Sequence, residues 1–175
     1  MAGGKEVLRE KDMNSSTANK TQDFLTYAVS LCFDSDSSKK IANSVKELSE
    51  ITGNHYLVEN DVPPHLTLGM FHVPCGKEEN IRSVFEDFLK EAIFKRAFCV
   101  EFCGTDTFLQ KVVFVSVKES SASFLHLKEL NEALHEKFIP HFAPGGNKNY
   151  LPGQFFPHVA LAVKLTPDEF KKAQL

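Results

Sequence analysis

Two matching stretches constrain this chain most: Pro64-His65-Leu66-Thr67-Leu68 and Pro157-His158-Val159-Ala160-Leu161, whose histidines stand 93 positions apart. Each is a Pro-His pair opening an apolar, strand-like run. Upstream of the first, Val62-Pro63-Pro64 forces extended backbone, because each proline disfavours helix at the residue before it. In a strand, residues two apart share a face, so His65 sits beside Thr67 while Leu66 and Leu68 turn toward a core. The second copy keeps the imidazole but carries Ala160 where the first has a hydroxyl. Either histidine alone would simply begin a strand after a proline. The repetition makes the pair a candidate for two halves of one active site.

The segments around the two copies repeat as well. Phe24 to Phe33 alternates through Tyr27, Val29, Leu31 and Phe33, which predicts a first strand. Asp34-Ser35-Asp36-Ser37 offers helix N-caps, Ile41, Val45 and Leu48 follow at helical spacing, and Gly53-Asn54 is the stop. After the first His strand comes an amphipathic helix from Gly76, with Ile81, Val84, Phe85, Phe88, Leu89, Ala92 and Ile93 on one stripe. Phe98–Leu109 and Val112–Val117 read as strands of an antiparallel hairpin with its turn near Gln110-Lys111. A helix capped by Ser120 or Ser121 follows, carrying Phe124, Leu127, Leu130, Leu134 and Phe138 and ended by Pro140. His126 and His135 fall on its polar sides and are expected to be solvated; His72 is given a surface or core role.

The long loop from Ala143 to Gly153 leads into Phe155-Phe156-Pro157-His158, and loops of that length before a site are often functional. Gly145-Gly146 with Lys148 could offer N–H groups and a cation to a phosphate, although a plain flexible loop explains them too. Thr166-Pro167-Asp168-Glu169 is a capping box with proline at the first helical position. The order strand, helix, His strand, helix, two strands, helix, His strand, start of helix is close to a duplicated unit, of α+β class. Residues 1–22 are polar and of mixed charge and are expected to form a mobile tail, with a single domain over 23–175.

Composition narrows the function. With 42% hydrophobic residues and 16 Phe the chain can bury a substantial core. A net charge of −3 argues against coating long nucleic acid by charge alone. Cys32, Cys75, Cys99 and Cys103 form neither a CxxC pair nor a dense framework, so they are expected to be reduced and mostly buried. No apolar run reaches the ~18 residues that span a bilayer, and no secretory signal precedes the fold, so a cytoplasmic protein without membrane partners is expected. No His-Glu-x-x-His spacing occurs, so neither a metal nor any other cofactor is expected.

Imidazole titrates near neutral pH, which suits two histidines to general acid–base work. One can activate water against a cyclic phosphodiester while the other protonates the departing ribose oxygen; the direction of the substrate decides which does which. A hydroxyl aimed at phosphoryl oxygens that gain charge stabilises the transition state preferentially. Thr67 is such a donor and Ala160 is not. Tyr150, Phe155 and Phe156 could stack on a base, with Tyr150 the best placed on its polar loop, and Lys148 and Ala160 complete the candidate substrate-binding set.

His65-Leu66-Thr67-Leu68 and His158-Val159-Ala160-Leu161, in this spacing and element order, resemble the two-histidine (2H) phosphoesterase superfamily, nearest its LigT-like branch of RNA 2′,3′-cyclic phosphodiesterases, also called 2′-5′ RNA ligase proteins. The resemblance runs from Phe24 to the C-terminus. It implies two pseudo-symmetric lobes of antiparallel sheet with outer helices around a central cleft, and catalysis by His65, Thr67 and His158 without a metal. An RNA 3′ end or a small cyclic or 2′-5′-linked nucleotide is the implied substrate, and a monomer is expected. Two departures stand out. Ala160 replaces the motif's second Thr or Ser, which opens the alternative of a nucleotide-binding regulatory module with weak or no turnover. The family's last helix and strand would fall after Leu175, so an incomplete C-terminal lobe is expected.

Overall fold

The computed structural model describes residues 7–9, 23–90 and 97–174. Its elements, in chain order, are β1 (Val7–Arg9), β2 (Phe24–Cys32), α1 (Ser35–Thr52), α2 (Tyr56–Glu59), β3 (His65–Pro74), α3 (Glu78–Leu89), β4 (Phe102–Phe108), β5 (Val112–Val117), α4 (Ala122–Phe138), β6 (Ala143–Pro144), β7 (His158–Ala162) and α5 (Pro167–Lys172). The fold is α+β, with sheets ordered β1-β2-β3-β6 and β4-β5-β7. β1 with β2, β3 with β6, and β5 with both β4 and β7 run antiparallel. Within the stretch expected to be a tail, Val7–Arg9 pairs with Tyr27–Val29; the rest of 1–22 lies outside the described residues, as do Ala92 and Ile93. Among the described residues two compact units emerge. One holds residues up to Ser30, Thr67–Cys99 and Leu125–Phe156; the other holds Leu31–Leu66, Val100–Phe124 and the chain from Pro157 onward.

The first unit is built on β3, which buries Leu68 and then, its alternation shifting by one residue at buried Gly69, Phe71 and Val73. Phe138 of α4 lies 4.6 Å from the Phe71 ring and meets Phe88 of α3 edge-on at 6.3 Å, so one aromatic stack joins strand and both helices. The cap of α4 is Ser121, whose hydroxyl accepts from the Phe124 amide at 3.1 Å.

His135, expected to be solvated, is instead 1% exposed. Leucines 127, 130 and 134 share its buried helix face, and the Phe71 ring lies 5.1 Å away. Its Nδ1–H donates to the Asn131 carbonyl at 2.8 Å, and burial holds its pKa below the ordinary imidazole value. The unfolded chain therefore takes up a proton near pH 6.5 that the folded chain accepts only at lower pH. Stability from this residue is complete above that pH and is lost as pH falls below it toward the folded pKa. We expect the denaturant midpoint of wild type to drop between about pH 7 and 5, and His135→Leu to flatten that part of the profile. An unchanged slope in the variant would show that His135 is not the titrating group. His126, by contrast, keeps partial exposure and sits 3.6 Å from Glu129.

In the second unit, Asp34 caps α1 by accepting from the Asp36 and Ser37 amides, and the helix ends at Gly53, whose φ of 80° is the left-handed conformation that glycine adopts without strain. Val113, Ala162, Leu165 and Phe170 form a buried cluster against Leu48, so α1 and α5 cover one face of the β4-β5-β7 sheet. The capping box of α5 forms as predicted: Thr166 N–H donates to Glu169 Oε2 at 2.7 Å, and Glu169 N–H to Thr166 Oγ1. The β4–β5 hairpin also forms, closed by Lys111 N–H donating to the Phe108 carbonyl across Leu109 and Gln110, which both take positive φ. Its first strand begins at Phe102 rather than Phe98. The register jumps between Phe102 and Thr105, with Gly104 at φ 63°, and Phe98 packs its ring on His126 at 4.5 Å instead. The four cysteines are exposed, against expectation, and no disulfide joins them.

Candidate active site

His65 opens β3, half-buried, where the two prolines deliver it. Its Nδ1 lies 2.9 Å from the Pro63 carbonyl. A carbonyl only accepts, so Nδ1 carries the proton in this contact and Nε2 is the nitrogen left with a lone pair. Two residues on, Thr67 is half-buried on the same face and its Oγ1 lies 3.3 Å from Ser30 Oγ on β2. Ser30 was not picked out from sequence: a lone serine in an alternating strand carries no signal until its neighbour in the sheet is known.

His158 opens β7 and pairs in register with Ser116, while Ala160 pairs with Phe114. Both therefore lie on the sheet face turned away from the α1 and α5 core. There the imidazole rests on aromatic rings, edge-on to Phe108 at 5.0 Å and 5.1 Å from Phe114, which itself stacks on Phe108 at 4.1 Å. Between Phe114 and Val113 the partner on β7 jumps from Ala160 to Ala162, so Leu161 is the extra residue of a bulge. The bulge turns Ala162 into the helix-side core while His158 and Ala160 keep the other face. His65 and His158 belong to the same compact unit. Beside His158 the second motif presents the Ala160 methyl, as its sequence dictates.

The loop before β7 is pinned, not free. β6 pairs Pro144 with Phe71 and Ala143 with His72 on β3, and Gly145 N–H donates to the Met70 carbonyl at 2.7 Å. Both glycines suit this close approach: a Cβ at Gly145 would press on the His72 ring at 3.0 Å, and Gly146 takes a φ of 71°, which glycine adopts without strain. The Gly145 amide thus already has an acceptor, which removes it from the expected phosphate cradle. Lys148 begins a short 3₁₀ turn, Lys148–Tyr150, and is exposed; Tyr150 is half-buried. Phe155 is core, whereas Phe156 is half-buried and donates its amide to the Asn149 carbonyl at 2.9 Å. His72 is taken up structurally by Thr26 Oγ1 at 3.0 Å and the Phe24 ring at 4.3 Å.

Among the described residues, no group of three or more His, Cys, Asp or Glu is arranged to hold a metal, and no helix is long and apolar enough to cross a membrane. No curated protein matches the chain. A family model does, over residues 37–175, a span that takes in both Pro-His strands and agrees with the two-histidine phosphoesterase resemblance. With its two histidine strands inside that match, the chain belongs to the 2′-5′ RNA ligase superfamily.

Proposed function

We propose that this protein is a metal-independent phosphodiesterase that opens 2′,3′-cyclic phosphates or cleaves 2′-5′ linkages at RNA ends or in small nucleotides. The observation that carries the reading is the pairing of His65 and His158 in one compact unit, each opening a strand and only half-buried. In the cyclic case one imidazole takes a proton from water as its oxygen attacks phosphorus. The bond from phosphorus to a ribose oxygen breaks, and the other imidazole, entering as imidazolium, protonates that oxygen to leave a phosphomonoester. Thr67, oriented by Ser30, donates to a phosphoryl oxygen as its charge grows. Tyr150, Lys148 and Phe156 contribute to holding the nucleotide, with Ala160 lining the His158 side.

Wild-type protein should turn over 2′,3′-cyclic nucleotides or 2′-5′ dinucleotides at a rate that EDTA does not change. A rate lost to chelator and restored by zinc would mean that the site has been misassigned. Ala160 favours a second reading, a module that binds such nucleotides without turning them over. Saturable binding by calorimetry with no product formed would select it.

A further inference from the structure

Asn131 stands in the middle of α4 on a face otherwise made of Leu127, Leu130, Leu134 and Phe138, and it is 0% exposed. Its amide nitrogen has two hydrogens and gives both away: to the Leu68 carbonyl of β3 at 2.6 Å and to the Tyr150 carbonyl at 2.8 Å. Carbonyl oxygens only accept, so these partners fix which way the amide faces. A leucine would fill the same place without the cost of burying an amide, and so packing does not account for the residue. What Asn131 does is join two backbone segments that no strand ladder joins.

Both segments bear on the proposed site. Leu68 follows Thr67 directly in β3. Tyr150 closes the 3₁₀ turn of the loop that leads to β7, and its ring lies so close over Gly146 that a Cβ there would come within 3.1 Å of Cδ2. The loop is thus tied at Gly145 to Met70 and, through Asn131, at Tyr150 to Leu68.

We propose that Asn131 is a positioning residue for nucleobase recognition: it holds Tyr150 at a set distance from the Thr67 strand, so that the Tyr150 ring stacks on the base of the nucleotide whose phosphate meets Thr67. This rests on the phosphodiesterase reading above. The readout is a ratio that a merely structural residue would not move. KM is measured for 2′,3′-cyclic AMP and for ribose 2′,3′-cyclic phosphate, which has no base. Asn131→Leu, and Asn131→Ser as the smaller change that retains one donor, should raise the ratio of the first KM to the second by about 10-fold, the scale of losing one base–aromatic stack. Tyr150→Ala should raise it equally, and Asn131→Ser combined with Tyr150→Ala no further. Equal rises for both substrates, or effects that multiply in the double variant, overturn the proposal.

Should the Asn131 variants fail to fold, tyrosine fluorescence tests the same placement, since the chain has three Tyr and no Trp. Cyclic AMP should quench wild-type emission more than it quenches Tyr150→Phe at saturation, and ribose cyclic phosphate should quench neither. Identical quenching of the two proteins by cyclic AMP overturns the proposal. Failure of wild type to turn over or bind either substrate removes the phosphodiesterase reading itself, whereas normal wild-type turnover with an unmoved KM ratio removes only the role of Asn131.

Discussion

Replacing either His65 or His158 with alanine is expected to lower kcat by about 10²- to 10⁴-fold, the scale of a lost general acid or base. For His65 the reason is local: with Nδ1 committed to the Pro63 carbonyl, the whole exchange of protons is expected to pass through Nε2. For His158 the ring is seated against Phe108 and Phe114, which restricts its tilt without offering a proton of their own. Groups that act as a unit are not additive, so the double variant should be about as slow as the slower single one. The pH dependence of kcat/KM should be bell-shaped in wild type, and each single variant should lose one limb, which identifies acid and base. One histidine proving silent in both rate and profile would break the assignment of paired roles.

The second large effect concerns the hydroxyls. Thr67→Ala removes a donor that Ser30 holds in place, and one preorganised donor to a developing oxyanion is worth about 3 kcal/mol, so kcat should fall by up to roughly 10²-fold. Ala160→Thr is the reverse experiment on the other motif. Ala160 shares the His158 face, and a hydroxyl there should raise kcat, by less than Thr67→Ala lowers it, because a β-branched side chain must fit a space shaped around a methyl group next to buried Phe114. Both are read as kcat and KM on one cyclic nucleotide. A silent Thr67→Ala would mean that hydroxyls at these positions do not stabilise the transition state.

Much of this was legible in the chain. Alternation gave β2, β3 and β5, and the caps at Asp34, Ser121 and Thr166 formed where short polar residues precede helical spacing. The motif pair pointed to the family before any coordinates did. What escaped was what sheet partners and helix rotation decide. Asn131 and His135 lie four apart within the same stripe as Leu127, Leu130, Leu134 and Phe138, so their spacing already put them inside. For His135 polarity argued for solvent; instead its Nδ1 and the Asn131 Nδ2 donate to backbone carbonyls that no local pattern reveals, while Asn131 Oδ1 and His135 Nε2 are buried without a hydrogen-bond partner among the described residues. The Leu161 bulge escaped for a related reason, since strict alternation would have put Ala162 with His158 and Ala160. The cysteines were judged by residue type alone, and exposure is a property of place.

That bulge has a bearing on how such a strand can change over time. In an unbroken strand every second side chain answers to the same surroundings, so altering the chemistry on one face disturbs a regular row. Here one additional residue splits five positions into two independently addressed parts. Positions 158 and 160 answer to Phe108 and Phe114 on their own face, while Ala162 keeps the volume required by Leu165, Phe170 and Leu48. A change at position 160 is therefore met by Phe114 on its own face and leaves the helix-side cluster around Ala162 as it is.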